Sequence, residues 1–441
     1  MTPFLRTAAA ATMVAGLLTA GGQPAAAGYP PARVSNPYEA AQVYVNPEWS
    51  ANAAGELGGS AVADQPTAVW LDRIAAIPGE PGEMGLRDHL DEALAQGADV
   101  IQLVLYNLPG RDCNRRVSEG ELALDELDRY RDEFIDPIIE ILADPAYASL
   151  RIVTIVEPNS LPNLVTHGLP GRNGTIACTL ALESGAYVAS IGYALAQLAT
   201  IPNVYAYLDI SHHAQLGWTE NAVPAAELIR LAATSAGSTV HAVHGLISNT
   251  ANYSVVREEF FSADDIVGGR SVREASPWID FNPFVDELPY LLGFRARLGM
   301  LGFDSDLSLL IDTSRNGWGG PARPTATSRS NDPVIYVEES RIDRRITKSN
   351  WCNQVNAGLG ERPVANPEPG IDAFVWAKPP GESDGSHQPL GGLPGEPMCD
   401  PDYLEPIADP DPTEAMPGAP PQGEWFPAHF RRLLEYAWPP L

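Results

Sequence analysis

The sequence predicts an α/β protein whose parallel strands close, or nearly close, into a barrel. Three observations carry this. Short β-branched runs recur between helical patterns. Strand and helix alternate through about seven units, which predicts a parallel sheet. The strands also run into polar residues, as barrel strands do at the rim where their chemistry sits.

In chain order, strands are predicted at Ala68–Leu71, Ile101–Tyr106, Arg151–Glu157, Val204–Asp209, His241–Ser248, Leu307–Thr313 and Ala373–Lys378. Helical spacing of apolar residues fills the gaps at Glu121–Leu142, Ala186–Ala199, Ala225–Ser235 and Pro283–Leu298. The strand ends are distinctive. Tyr106 leads to "NLPGRDC", Val156 to "EPNS", Leu208 to "DISHH", Ile247 to "SNTANY", Ile311 to "DTSRNGWGG" and Trp376 to "AKPPGESDG". One polar strand end means little, but several converging on one rim predict a site. Pro and Gly rise after Pro379, which predicts long loops closed off by a helix in "HFRRLLEYA".

The chain has 441 residues, long for one domain but within reach of one large barrel. Apolar residues make up 44%, enough for a sizeable core. The formal net charge is −28. Such a surface repels nucleic acid and anionic membrane and favours a neutral or cationic partner. The plainer reading is that the charge keeps the protein soluble. Residues 1–27 read as a signal peptide: Arg6 supplies the positive start, an apolar run follows, and Ala25-Ala26-Ala27 offers small residues for cleavage. A secreted chain with one domain over residues 28–441 is expected. No later segment is long and apolar enough to cross a bilayer. The four cysteines, Cys113, Cys178, Cys352 and Cys399, form no CxxC or zinc spacing, so two disulfides are expected outside the cell. Four cysteines allow three pairings, and spacing does not choose among them.

Several chemistries can be weighed. Gly381-Glu382-Ser383-Asp384-Gly385 matches G-x-S-x-G, but Pro379-Pro380 precede it and no helix can follow, so a serine nucleophile is disfavoured. His212, His213 and His244 lack metal-ligand spacing, and no metal is expected. "AGLGERP" lacks the Lys-Ser/Thr of a phosphate loop. Carboxylates are a better lead. Asp112, Asp209, Asp312, Glu382 and Asp384 follow predicted strands, with Tyr106, Trp49, Trp218, Trp318 and Trp351 as aromatic companions. Paired acids do glycosidic bond chemistry, and flat aromatics stack on the C–H faces of sugars. Taken singly, each tryptophan suits core packing and each aspartate suits a cap.

Together the motifs "YNLPGRDC", "VEPNSLPNLV", "NTANY", "IDTSRNGWGGP", "ESRIDRR", "NWCN", "GLGERP" and "WAKPPGESDG" resemble glycoside hydrolase family 6 from about Asn36 to Leu441. The resemblance implies a distorted, roughly seven-stranded barrel with loops forming a tunnel or cleft. It implies inverting, cellobiohydrolase-type cleavage of β-1,4-glucan or cello-oligosaccharides, without a cofactor and as a monomer. It implies that Asp112 tunes the proton donor, Tyr106 lies beneath the reacting ring, Ser118 helps hold the attacking water and Asp384 is the base. Lys378, Glu382, Trp351, Asn252, His212 and Trp49 match sugar-binding positions. The cysteines match the pairing Cys113–Cys178 and Cys352–Cys399.

Three places depart from the family pattern. Its acid is the aspartate of E-P-D-S-L, and Asn159 stands there. An amide has no proton to give near neutral pH, and general acid catalysis is typically worth about 10²–10⁴-fold. Gln215 replaces a stacking tryptophan shortly before Trp218, a loss of about 1–3 kcal/mol if stacking on bases is a guide. Asn114-Arg115-Arg116 replaces a small apolar loop. The expectation is a hydrolase impaired at the acid step. The alternatives are a cello-oligosaccharide-binding relative with little turnover, or a hydrolase of a different glucan or of one with a better leaving group. Asp112 or another carboxylate supplying the proton, or deamidation at Asn159-Ser160, would restore activity.

Overall fold

A computed structural model describes residues 33–116, 118–171, 174–389, 394–404 and 411–441. The predicted signal segment lies outside them. Among the described residues ten strands are present: β1 Val69–Leu71, β2 Val100–Leu105, β3 Arg151–Val156, β4 Val204–Asp209, β5 Gly245–Ser248, β6 Ile266–Val267, β7 Arg270–Ser271, β8 Ser308–Asp312, β9 Val364–Glu368 and β10 Ile371–Val375. Eight form one sheet in the order β1-β2-β3-β4-β5-β8-β10-β9, while β6 and β7 pair as a separate ribbon.

All ladders of the large sheet are parallel except β9 on β10. The sheet curls into a half-barrel. Its seam is thin: Ala68 N–H donates to Trp376 O at 3.1 Å, and Trp70 Nε1 donates to Ala377 O at 2.8 Å. Both faces are covered, so β2 and β4 are buried throughout and read as near-continuous apolar runs. Period-two alternation sends Ile101, Leu103 and Leu105 outward against Phe134, Leu195 and Ile229, and Val100 and Val104 inward with Val153, Ile155, Tyr207 and Leu310.

The predicted strands are found within a few residues, and β4 to the residue. The stretch predicted to begin a strand at His241 forms a short 3-10 turn at Val240–Ala242 before β5. The edge strand β9 was not expected. It is half exposed and carries Pro367, which only an edge tolerates. The helix expected from Glu121 starts at Leu127, passes through a π-helical turn at Tyr130–Ile135 and continues as Asp136–Leu142. The helix expected from Ala225 starts earlier, at Thr219, with Pro224 inside. The helix expected from Pro283 spans Glu287–Gly299, and the last helix spans Pro427–Glu435.

Both disulfides follow the expected pairing, Cys113–Cys178 and Cys352–Cys399. One ties the loop after β2 to the helix Ile176–Ser184; the other ties the loop holding Trp351 to the turn Pro397–Cys399. By loop-closure entropy each is worth about 4 kcal/mol. Both therefore fix loops that overhang the strand ends.

Candidate active site

A cleft of about 450 Å³ lies over the C-terminal ends of the parallel strands. Non-glycine residues at positive φ gather there: Asp112, Glu157, Asn159, Ser211, Asn249 and Ala251. Such backbone costs energy and persists where surrounding bonds enforce it.

Of the fifteen positions expected to matter, Tyr106, Asp112, Asn159, His212, Asn252, Trp351, Lys378, Glu382 and Asp384 line this cleft. The four cysteines brace its loops. Two expectations need correcting. Trp49 is 2% exposed, packs edge-on against Trp376 and Phe430, and donates through Nε1 to Pro380 O at 2.9 Å. It is a core residue with no face open to a sugar. Ser118 is not in the lining; its hydroxyl accepts from Gly120 N–H at 3.1 Å. Trp318 is likewise core, its Nε1 donating to Tyr253 O. Asp209 and Asp312 serve as backbone anchors. Asp209 accepts from the N–H groups of Asn159 and Ser211, and Asp312 from those of Ala251, Ser314 and Lys378.

Asp384 is the most firmly held group. Arg315 Nη1 donates to both of its oxygens at 2.8 Å, and Tyr253 Oη and Asn353 N donate to Oδ2 at 2.8 Å. Burial alone would push this carboxyl up. The Arg315 guanidinium and Lys378 ammonium outweigh it and hold the group below the usual carboxylate range. Oδ1, with one partner, keeps lone-pair capacity for a water. Beside it, Lys378 Nζ lies 3.3 Å from Glu382 Oε2. Ser383 is fully buried and donates to Pro420 O and Gly385 O, which removes it as a nucleophile.

Tyr106 donates its hydroxyl to Asp112 Oδ1, while Arg111 stacks over its ring and Trp70 meets it edge-on. Arg111 and Arg115 each approach Asp112 at 3.5 Å. Arg115 also stacks on Trp351 at 4.6 Å and donates to Gln422 Oε1 at 3.2 Å. The charged loop after Cys113 thus covers one face of an expected sugar-stacking indole. His212 stays neutral because burial, then Arg345 and Lys348, push its imidazole far down.

Asn159 has φ 60° and ψ 0°, a left-handed conformation that asparagine tolerates better than most residues. Its N–H donates to Asp209 Oδ2 at 2.9 Å. A chain of amides shares the lining with it. Asn163 Nδ2 donates to Asn114 Oδ1 at 2.8 Å, and Gln215 Nε2 donates to Asn163 Oδ1 at 3.0 Å and Thr166 Oγ1 at 2.9 Å. Ser211 donates to Gln215 Oε1. Asn114 and Gln215, two of the positions expected to depart from the family pattern, are therefore joined through Asn163. Glu157 is enclosed behind this wall. Its carboxyl accepts from Asn107 N–H, Leu108 N–H and Tyr130 Oη, yet burial pushes it up to about 8.

Sequence reasoning missed Arg315, Tyr253 and Asn353, although each sits inside a motif it singled out. It also missed Asn163, Trp70 and Lys348. The His212, His213 and His244 side chains do not converge: His213 bonds Glu287, and His244 bonds Ser35 O.

Comparison with known proteins bears on this cleft. The model of glycosyl hydrolases family 6 matches residues 31–437. Exoglucanase A of Cellulomonas fimi is 40% identical, covering 93% of this chain and 49% of its own length. The chain thus spans about half the length of that relative. The 1,4-beta-D-glucan cellobiohydrolase C of Emericella nidulans is 32% identical over 92% of this chain and 79% of its own. The solved catalytic domain of Cellulomonas fimi Cel6B superposes with a TM-score of 0.88 at 40% identity, covering 93% of this chain and 97% of that one. Cellobiohydrolase II (Cel6A) of Humicola insolens, in complex with glucose and cellotetraose, gives 0.70 at 30% identity, covering 92% and 100%. A match running nearly end to end, over a half-barrel with its cleft at the strand ends, makes this chain a member of glycosyl hydrolases family 6.

Proposed function

We propose that the protein is a secreted, monomeric β-1,4-glucanase of the cellobiohydrolase type that cleaves cellulose or cello-oligosaccharides with inversion, and that it does so slowly. The observation that carries the reading is the state of Asp384. Arg315 fixes its negative charge in the cleft, and Asn159 in the same lining is read as standing at the family's donor position. Inversion needs one group to activate water and another to protonate the leaving oxygen. Asp384 serves the first task through Oδ1. Asn159 does not serve the second, so bond cleavage waits on a proton from water or from another carboxyl. Family membership and the names of the relatives support the substrate class. The two disulfides support export, with residues 1–27 as the signal peptide.

A second reading, a glucan-binding protein with negligible turnover, is favoured by the covered face of Trp351 and by the amide wall. Incubation with cellohexaose, followed by NMR of the new reducing ends, separates the two. Slow release of α-anomeric cello-oligosaccharides is expected. Binding without release supports the second reading. Release of the β-anomer contradicts inversion, and absence of binding contradicts both readings.

A further inference from the structure

Arg345 lies outside the cleft lining yet is bonded to what lines it. Its side chain is fully buried, and buried Asp343 neutralises it through Nε and Nη2. The remaining N–H groups hold the cleft. Nη1 donates to Asn252 Oδ1 at 3.0 Å, to Asn350 O at 3.1 Å and to Lys348 O at 3.2 Å. Nη2 donates to Ser254 Oγ at 3.2 Å. Asn252 lines the cleft, as do Ser349 and Trp351 beside those two carbonyls. A rigid guanidinium fork holds several acceptors at fixed angles; a lysine ammonium does not.

Two side chains are thereby fixed as donors. Asn252 Oδ1 also accepts from Tyr253 N–H at 2.8 Å, so its carbonyl oxygen faces the protein and Nδ2 is left over for the cleft. Ser254 Oγ lies 3.4 Å from His212 Nδ1. A guanidinium accepts nothing, so Ser254 Oγ accepts from Arg345 and its single proton is free for Nδ1. The opposite tautomer, with hydrogen on Nδ1, would leave the hydroxyl proton without an acceptor. His212 therefore carries its hydrogen on Nε2. That atom has no protein partner among the described residues, and His212 lines the cleft. Ser254 is itself fixed: its N–H donates to Asn249 Oδ1 at 2.9 Å, and its carbonyl accepts from Asn316 Nδ2 at 2.9 Å. Burial, then the charge of Arg345, keeps the imidazole neutral.

We propose that Arg345 is a positioning residue for glucan binding: it sets the Asn252 amide and the Nε2–H of His212 as two fixed donors to sugar hydroxyl oxygens in the cleft. The proposal rests on the glucan reading given above and deepens it. A donor that is already oriented loses little freedom when the ligand arrives, so more of its bond energy reaches binding.

The test uses the full protein and two readouts. Nitrogen NMR of isotope-labelled histidines reads the tautomer of His212, whose signal is identified by its loss in His212→Gln. Calorimetry with thio-linked cellotetraose, whose sulfur bridges resist cleavage, reads binding. The unaltered protein is expected to show Nε2–H with a bare Nδ1. Ser254→Ala should mix the two tautomers and weaken binding about three- to tenfold, the scale of one hydrogen bond. Arg345→Lys keeps a charge beside Asp343 but loses the fork; it should disturb the tautomer and weaken binding at least as much. Ser254→Ala leaves the Arg345–Asp343 pair intact and covers the case in which Arg345→Lys does not fold. Nδ1–H in the unaltered protein, or a tautomer or an affinity that stays unchanged in the variants that fold, overturns the positioning role and leaves the glucan reading standing. Failure of the unaltered protein to bind overturns the glucan reading and the proposal with it.

Discussion

The cleft lining after β10 and the lining after β3 and β4 are both polar, but the first is built on an ion-paired carboxylate and the second on amides. After β10, Lys378, Glu382 and Asp384 keep ionised partners, and buried Arg315 holds Asp384 by both oxygens. After β3 and β4, Asn163, Gln215 and Thr166 form a neutral hydrogen-bonded chain beside Asn159 that ends on His167, whose imidazole burial pushes down. A buried charge needs a fixed partner, whereas a run of amides can satisfy itself. The comparison shows how a cleft wall can be held without a charge. The neutral wall is closed by hydrogen bonds among Asn114, Asn163, Gln215 and Thr166.

The largest expected effect comes from restoring charge to the neutral wall. Asn159→Asp should raise turnover of cello-oligosaccharides by about 10²–10⁴-fold, read as initial rates of reducing-end release. A gain under tenfold would mean that the missing proton is not the main limitation.

Next comes removal of the partner on the charged wall. Arg315→Met leaves Asp384 buried and unpaired, and should lower stability by about 3–5 kcal/mol in urea denaturation. A loss within 1 kcal/mol would mean that solvent already compensates Asp384.

A smaller effect is expected within the amide chain. Gln215→Ala orphans Asn163 and Ser211 and should cost about 1–3 kcal/mol, measured by the same unfolding. A neutral outcome would make the chain a passive lining.

The last is a pH effect from buried carboxyls. Burial pushes Asp209 up to about 6 and Glu157 and Glu258 up to about 8. Their folded values exceed their unfolded ones, so they contribute fully at pH below about 4, and that contribution is lost as pH rises through 6 and 8. Asp384 acts oppositely, its contribution falling away only in stronger acid. The buried histidines, whose imidazoles burial pushes down, act oppositely up to about pH 6.5, so the melting temperature should fall only above that, from pH 7 to pH 8. A rise over that range would contradict the assigned shifts.

Much of this was legible in the sequence, for physical reasons that can be named. The run Val204–Asp209 is continuous and apolar because both faces of the sheet are covered. Val364–Glu368 is half exposed, holds a proline and gives no such signal. Trp49 and Trp351 look alike in sequence, since core and cleft both accept indole; only the fold shows one indole enclosed by Trp376 and Phe430. Arg315 and Asp384 are 69 residues apart, joined by two neighbouring strand ends, so their pairing becomes visible only once β8 and β10 are adjacent.

Proton supply is tested most directly with two substrates that differ in leaving group. Cellobiosyl fluoride departs as fluoride and needs no proton, whereas cellotetraose must be protonated at the leaving oxygen. Mass spectrometry should first confirm an intact amide at Asn159. The unaltered protein is expected to cleave the fluoride readily and cellotetraose poorly, with Asn159→Asp raising only the second rate. Brisk cleavage of cellotetraose by the protein with its amide intact would contradict the account.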